Sequence, residues 1–314
     1  MEYAAAAIAP STRRTYSAAE KKYLTFCTLH RWDPVPASDM TLSCFATHLT
    51  HTVRPQSIHV YLAAVRHMHA EFGLPDPTAD ADLLPRVLRG IKRSIGCAGD
   101  HRRTRLPITF AVLRRIADAI SQSQHLHQDK LMLKAAVLLA FFGFLRCAEF
   151  TSPPTGFDPS AHATKGDITW TPGGPLLFRI KQSKTDPFRN GHTVTIGRAE
   201  APYCPVTAVL AYLVSSGQKE AAPLFQYWSG SPLSRQAFTQ EVRRLLLTAG
   251  VTNARQYAGH SFRIGAATTA AAAGVPDWMI RAMGRWRSDC VLRYIRTSSH
   301  ALSQVAHQLC NASI

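Results

Sequence analysis

The chain has 314 residues, is 46% hydrophobic, and carries 36 Lys/Arg against 20 Asp/Glu, a formal net charge of +16. Its length suggests two domains rather than one, with apolar material enough for a core in each. The longest apolar run, Ala135 to Leu145, is too short to span a bilayer, and seven scattered cysteines without a Cys-x-x-Cys pair exclude a disulfide framework and a zinc ribbon.

Residues 1–105 hold fourteen Lys/Arg and nine Asp/Glu, and residues 106–314 hold twenty-two and eleven, so the positive field is not a detachable tail. A polyanion is the partner such a field implies, and nucleic acid fits it better than a membrane surface. Met1-Glu2-Tyr3 and the alanines after it lack the basic and apolar regions of a leader, so the expectation is an intracellular protein without a membrane role. If the source is eukaryotic, the nucleus is the expected compartment.

In chain order, Ser11 and Thr12 open a helix to about residue 31, with Tyr16, Ala19, Tyr23, Phe26, Cys27 and His30 at helical spacing. Asp33-Pro34-Val35-Pro36 breaks it. Ser38-Asp39 starts a second helix through Leu42, Phe45, Ala46 and Leu49. Arg54-Pro55 starts a third, with Ile58, Leu62, Val65, Met68 and Phe72 in register, and a fourth covers about 81–95. Short helices with tight Pro/Gly connections make residues 1–96 an all-α domain. Arg13, Arg14, Lys21, Lys22, Arg54, Arg66, Arg89, Lys92 and Arg93 lie on its polar faces, either tracking phosphates or simply solvated. Cys44, His48 and His51 share a helical face, but no fourth ligand accompanies them, so a packed helix and no metal is the reading.

Residues 97–105, basic and flanked by glycine, read as the linker, and residues 106–314 as the second domain. Thr109 is placed to cap a helix through Leu113 and Ile116. The helix over 129–144 is apolar almost all round and therefore central. Arg146 follows it, a charge that needs a partner in such surroundings, and Glu149 is three residues on, on the same helical face. After a Pro/Gly/Ser/Thr-rich loop come three β-like runs, 167–170, 176–180 and 192–196. The last two flank a cation-rich hairpin containing Lys181 and Lys184. Helices return at about 206–215, 234–248, 260–273, 276–283, 289–296 and 299–310. The fold class expected is mainly α with one small antiparallel sheet.

Chemistry-bearing residues cluster in the last third. His260 and Arg263 are three apart, setting a proton-transfer group beside a guanidinium fork that suits phosphate oxygens. Trp286 follows, then Tyr294, a phenol among arginines and so a candidate phosphoryl-transfer nucleophile. Two ordinary surface helices with a packed Trp and Tyr are the other reading.

In order, Leu145-Arg146-Cys147-Ala148-Glu149, Ser183-Lys184-Thr185-Asp186, Gly259-His260-Ser261-Phe262-Arg263, Gly284-Arg285-Trp286 and Arg293-Tyr294-Ile295 resemble the boxes of the tyrosine recombinase, or phage integrase, family of the Xer and Cre type. In wording they are closest to eukaryotic mobile-element recombinases of the Crypton and DIRS kinds. Five boxes in order are far more specific than any one alone. The Trp286-to-Tyr294 interval is one residue shorter than the commonest family spacing, and the long Arg146-to-Lys184 interval leaves Lys181 a rival for the lysine role.

The resemblance implies a helical core-binding domain at 1–96 and a mixed α+β catalytic domain at 106–314. It implies cleavage and rejoining of double-stranded DNA through a 3′-phosphotyrosyl link, with no cofactor, metal or ATP. Tyr294 would be the nucleophile, Arg146 and Arg263 the phosphate clamp, His260 the proton-transfer group, Lys184 the acid for the leaving 5′-oxygen, and Trp286 an indole donor or a packing residue. Glu149 would orient Arg146. Arg13, Arg14, Arg54, Arg66, Lys92, Arg93, Arg281, Arg285, Arg287 and Arg293 would contact the DNA backbone. The helix at 299–310 would dock on a neighbour in a tetramer holding two duplexes, or pack on its own domain. A silent, domesticated DNA-binding protein and a type IB topoisomerase are the alternative functions.

Overall fold

The computed structural model describes residues 7–99, 105–183, 186, 188–287, 291–292 and 294–295, with the backbone alone at 96–99. The chain divides into two compact units, Met1–Arg102 and Arg103–Ile314. Lys184, Arg293 and the 299–310 stretch lie outside the described residues.

The first unit is four helices: α1 (Pro10–His30), α2 (Asp39–Leu49), α3 (Pro55–Glu71) and α4 (Leu83–Gly99). Proline at the first helical position, where its missing N–H costs nothing, starts α1 and α3. Ser38 caps α2 by accepting from the Thr41 N–H at 3.0 Å. The Asp39 carboxylate accepts from the N–H groups of Asp82, Leu83 and Leu84 at 3.0, 2.7 and 2.9 Å, so α2 caps the start of α4. Tyr23, Phe26, Phe45, Leu49, Ile58 and Val65 interlock in the core. The fourth helix runs on to Gly99, three residues into the stretch expected as linker: glycine lowers helix propensity without ending a helix that is already formed. Arg13, Arg14, Arg54, Lys92 and Arg93 are exposed. Arg66 is tied to Asp76, 2.6 Å away.

The second unit packs α5 (Phe110–Gln122), α8 (Pro205–Ser216) and α10 (His260–Ala272) around α6 (His127–Phe142), with α7 (Cys147–Phe150), α9 (Arg235–Thr248) and α11 (Asp277–Gly284) completing the helical set. Every residue from Ala135 to Phe141 is buried, as the uniformly apolar sequence of α6 requires. Thr109 stands at the N-cap of α5 without capping it, and the Phe110 N–H donates instead to Thr269 Oγ1 on α10.

Strands β1 (Ile168–Trp170), β2 (Leu176–Ile180) and β3 (His192–Ile196) form an antiparallel sheet in sequence order. Leu176, Phe178 and Ile180 alternate inward along β2, the period-2 signature of a sheet with one covered face. Ile180 is paired with His192 where the hairpin opens. Of the helix expected over 289–296, the described residues form one turn, with Tyr294 and Ile295 donating their N–H groups to the Val291 carbonyl.

Candidate active site

The site begins where α6 stops. Phe144 adopts a left-handed backbone, φ 49°, and the Leu145 N–H donates back to the Ala140 carbonyl, closing the helix end. A left-handed non-glycine residue costs roughly 1–2 kcal/mol. The turn points the Phe144 carbonyl at two arginines described below. Arg146 then begins the single turn α7. Arginine accepts no hydrogen bond, so it cannot cap through its side chain. Glu149 reaches back instead: one carboxylate oxygen accepts from the Arg146 backbone N–H at 2.8 Å, the other from Arg146 Nη1 at 2.9 Å. The Glu149 side chain is 2% exposed, and a charge so enclosed needs these partners.

His260 is the first residue of α10 and is exposed, while Arg263, one turn on, is fully buried. A Cβ on Gly259 would fall 2.0 Å from the Cys147 sulfur, so glycine is what lets α10 start against α7. Arg263 donates through Nη1 to the Phe144 carbonyl at 2.7 Å and through Nη2 to the Gly284 carbonyl. Burial, then the charges of Arg146 and Arg285, pull its pKa down to about 9, against the opposing pull of Glu149 and Tyr294. It remains a cation at neutral pH.

Helix α11 ends at Arg285, also left-handed, with φ 55°. A Cβ on Gly284 would sit 1.5 Å from the Trp286 ring, so glycine permits the indole to fold back beneath the site. Trp286 is 8% exposed; Arg263 lies 4.2 Å over its ring and Tyr294 4.9 Å from it, centroid to centroid. The indole N–H is buried without a partner among the described residues. Both expectations for Trp286, donor and packing residue, stand: the ring packs on Arg263 and Tyr294, and the indole N–H is left over for an acceptor. Arg285 donates through Nη2 to Glu149 at 2.8 Å and to the Phe144 carbonyl at 3.2 Å. Burial lowers its pKa first, with Glu149 opposing.

Tyr294 is half-buried, with its ring centroid 5.2 Å from that of His260. Its carbonyl accepts from Thr268 Oγ1 at 3.2 Å, which ties the tyrosine's backbone to α10. The structure thus gathers Arg146, Glu149, His260, Arg263, Trp286 and Tyr294. Arg281 is half-buried on α11 and Arg287 is exposed.

Lys181 is committed elsewhere. Its ammonium lies 2.6 Å from the Asp167 carboxylate and donates to the Pro159 carbonyl, the His162 carbonyl and Thr164 Oγ1 at 2.7, 3.1 and 3.0 Å. An ammonium has three protons, and these partners use them.

Two neighbours of the site go beyond the sequence reading. Arg285, expected at the DNA backbone, lies inside the arginine cluster; the one-residue shortfall from Trp286 to Tyr294 was a signal for it, because counting from Arg285 restores the interval. His192 at the start of β3 is held below the ordinary histidine value, by burial first and by Arg285 second, with Glu149 opposing. Three guanidinium groups around one carboxylate make a centre that favours an anion, with a phenol and an imidazole at its edge.

Mainly helical, with a three-stranded sheet beside the central helix, the fold is that of the tyrosine recombinases and integrases. XerH site-specific recombinase bound to difH shares it with a TM-score of 0.62 at 14% identity, over 93% of this chain and 78% of that one. A lambda integrase dimer bound to a core site shares it with a TM-score of 0.58 at 15% identity, over 93% and 91%. In sequence the chain is 26% identical over 298 residues to an integrase/recombinase XerD homolog of Selenomonas ruminantium, covering 91% of this chain and 82% of the relative. It is 24% identical over 300 residues to recombinase Cre of Escherichia phage P1, covering 88% and 81%. No protein-family model matches. The chain is thus similar in sequence and in fold to these recombinases and integrases.

Proposed function

We propose that this protein is a site-specific DNA recombinase that breaks and rejoins strands through a tyrosine–DNA bond. The observation that carries the reading is that His260 and Trp286 lie against Tyr294, the tyrosine that the sequence boxes single out, while Arg263 sits over the same Trp286 ring and Arg146 is held beside them by Glu149. The names of its structural neighbours, which include recombinases and integrases on DNA, support DNA as the substrate.

In the proposed step the Tyr294 oxygen attacks the scissile phosphorus and the bond to the 5′-oxygen breaks. The phenol gives up its proton, with His260 as the proton-transfer group, and Lys184 protonates the departing 5′-oxygen. Arg146 and Arg263 bind the non-bridging oxygens and stabilise the charge that grows there. The phosphotyrosyl link conserves the phosphodiester's free energy for rejoining, so the chemistry requires neither ATP nor a metal. Lys181 is a weak rival to Lys184, since its ammonium is already enclosed by Asp167 and its neighbours.

Residues 1–96 act as the core-binding domain, with exposed Arg13, Arg14, Arg54, Lys92 and Arg93 on phosphates. The 299–310 segment joins protomers into a tetramer on two duplexes, and the gene belongs to a mobile element, acting in the nucleus if the source is eukaryotic. Deleting residues 299–314 should spare DNA binding and abolish synapsis.

The test is relaxation of a supercoiled plasmid in EDTA, with a denaturing gel for covalent adducts. Relaxation and an adduct, both lost in Tyr294→Phe, are expected. DNA binding without an adduct, even on DNA selected for tight binding, would support the silent DNA-binding protein instead. Relaxation with no site preference and no assembly would point to a topoisomerase.

A further inference from the structure

We infer that Arg285 is a third arginine of the phosphate clamp, touching the reacting phosphate rather than the flanking DNA backbone. This rests on the strand-transfer reading above and adds a residue to it.

The first argument is placement. Arg285 and Arg287 are two residues apart in one basic run, yet Arg287 is exposed and the Arg285 side chain is 11% exposed. Arg285 takes up a left-handed backbone at the end of α11, a conformation that glycine adopts freely. An arginine at that position puts a charge into the cluster, where a glycine would end the helix with less strain.

The second argument is bonding. Glu149 gives one oxygen to Arg146 Nη1 and the other to Arg285 Nη2, so one carboxylate orients both guanidinium planes. Arg285 spends Nη2 on Glu149 and on the Phe144 carbonyl. Its Nε and Nη1 are buried without partners among the described residues, as is Nε of Arg263. A purely structural tie to Glu149 leaves these donors as uncompensated cost. Phosphate oxygens are acceptors of the kind that guanidinium edges take in pairs.

The third argument is charge. Arg146, Arg263 and Arg285 against Glu149 leave the centre at a net charge of +2. A phosphodiester carries one negative charge in the ground state and gathers a second as the tyrosine adds. The centre therefore matches the transition state better than the substrate, as catalysis requires.

The test compares wild type, Arg285→Gln and Arg285→Lys in plasmid relaxation at saturating protein, in duplex binding, and in the melting-temperature shift given by orthovanadate. Vanadate serves as the probe because it takes the five-coordinate geometry of phosphoryl transfer and needs no DNA site. The expected result for Arg285→Gln is a rate loss of about 10²- to 10³-fold, with duplex affinity within about threefold of wild type, and loss of the vanadate shift. Arg285→Lys keeps a charge for Glu149 but lacks the fork; it should fold, and be slowed at least tenfold by the same logic. A folded variant at the wild-type rate, or a slow variant with the full vanadate shift, overturns the inference and makes Arg285 a structural tie. If wild type itself forms no adduct, the strand-transfer reading fails, while the vanadate comparison still decides whether Arg285 binds a phosphoryl group.

Discussion

The guanidinium carbon of Arg263 lies 4.2 Å from the centre of the Trp286 ring, and both side chains are buried. A desolvated cation over an indole is stabilised by about 2 kcal/mol. The ring also abuts Tyr294, so one side chain supports both Arg263 and the tyrosine proposed as nucleophile. Trp286→Phe keeps a platform and should retain most adduct formation. Trp286→Ala should cost about 3–5 kcal/mol in urea unfolding and lose the adduct. Equal activity losses in the two variants would instead identify the indole N–H as the functional group.

Glu149→Gln keeps the shape of the side chain and removes the charge shared by two arginines. Breaking a buried pair leaves uncompensated charge, and the expected loss in urea unfolding is about 3–5 kcal/mol. Since Arg146 loses its orienting partner, adduct formation should fall as well. A stability change below about 1 kcal/mol would show that the pair is nearly balanced by its desolvation.

Much of the fold is legible in the sequence, and the reasons are local. Helix α6 shows itself by unbroken apolar character, β2 by alternation, and the Arg146–Glu149 pair by a spacing of three. Contacts that join distant residues are not legible. Arg285 meets Glu149 across 136 residues, and nothing in the basic run at 281–287 distinguishes it from its neighbours by composition. The left-handed turns at Phe144 and Arg285 are equally hidden, because neither residue is the glycine or asparagine that advertises such a backbone. Lys181 and Lys184 look alike in sequence, and the partner of Lys181, Asp167 from before β1, is not marked there.

His192 reports on the cluster through its protonation. Its pKa in the folded chain lies below the ordinary value of about 6.5, which the unfolded chain keeps. The unfolded chain therefore binds more protons in the window beneath that value. The stability His192 contributes is present above about 6.5 and is lost as pH falls through the depressed folded value. A proton NMR titration should place the imidazole midpoint below 6.5. In Arg285→Gln the midpoint should rise, because a repelling charge is gone and Glu149 is no longer shared. An unmoved midpoint would separate His192 from the cluster.

The two hairpin lysines should part company on substitution. Lys181→Met leaves the buried Asp167 carboxylate with only the Thr164 N–H and hydroxyl as donors among the described residues. It should cost roughly 1–3 kcal/mol in thermal or urea unfolding, with the chemistry retained at temperatures where the variant is folded. Lys184→Met should slow cleavage, the role proposed for it being the protonation of the leaving 5′-oxygen. A DNA bearing a sulfur in place of the 5′-bridging oxygen, a leaving group that needs no proton, should restore cleavage to the Lys184 variant.

Glu149 also joins two parts of the chain far apart in sequence, beside the tie that the Phe144 carbonyl makes to Arg263 and Arg285. Arg146 precedes the short helix α7; Arg285 stands between α11 and the tyrosine. Under the proposed function, a shift of the polypeptide that carries Tyr294 would pull on Arg285 and, through the Glu149 carboxylate, turn Arg146. In the proposed reaction the arginines would then be set only when Tyr294 is seated, and a displaced tyrosine would leave behind a centre poorly arranged for cutting by water.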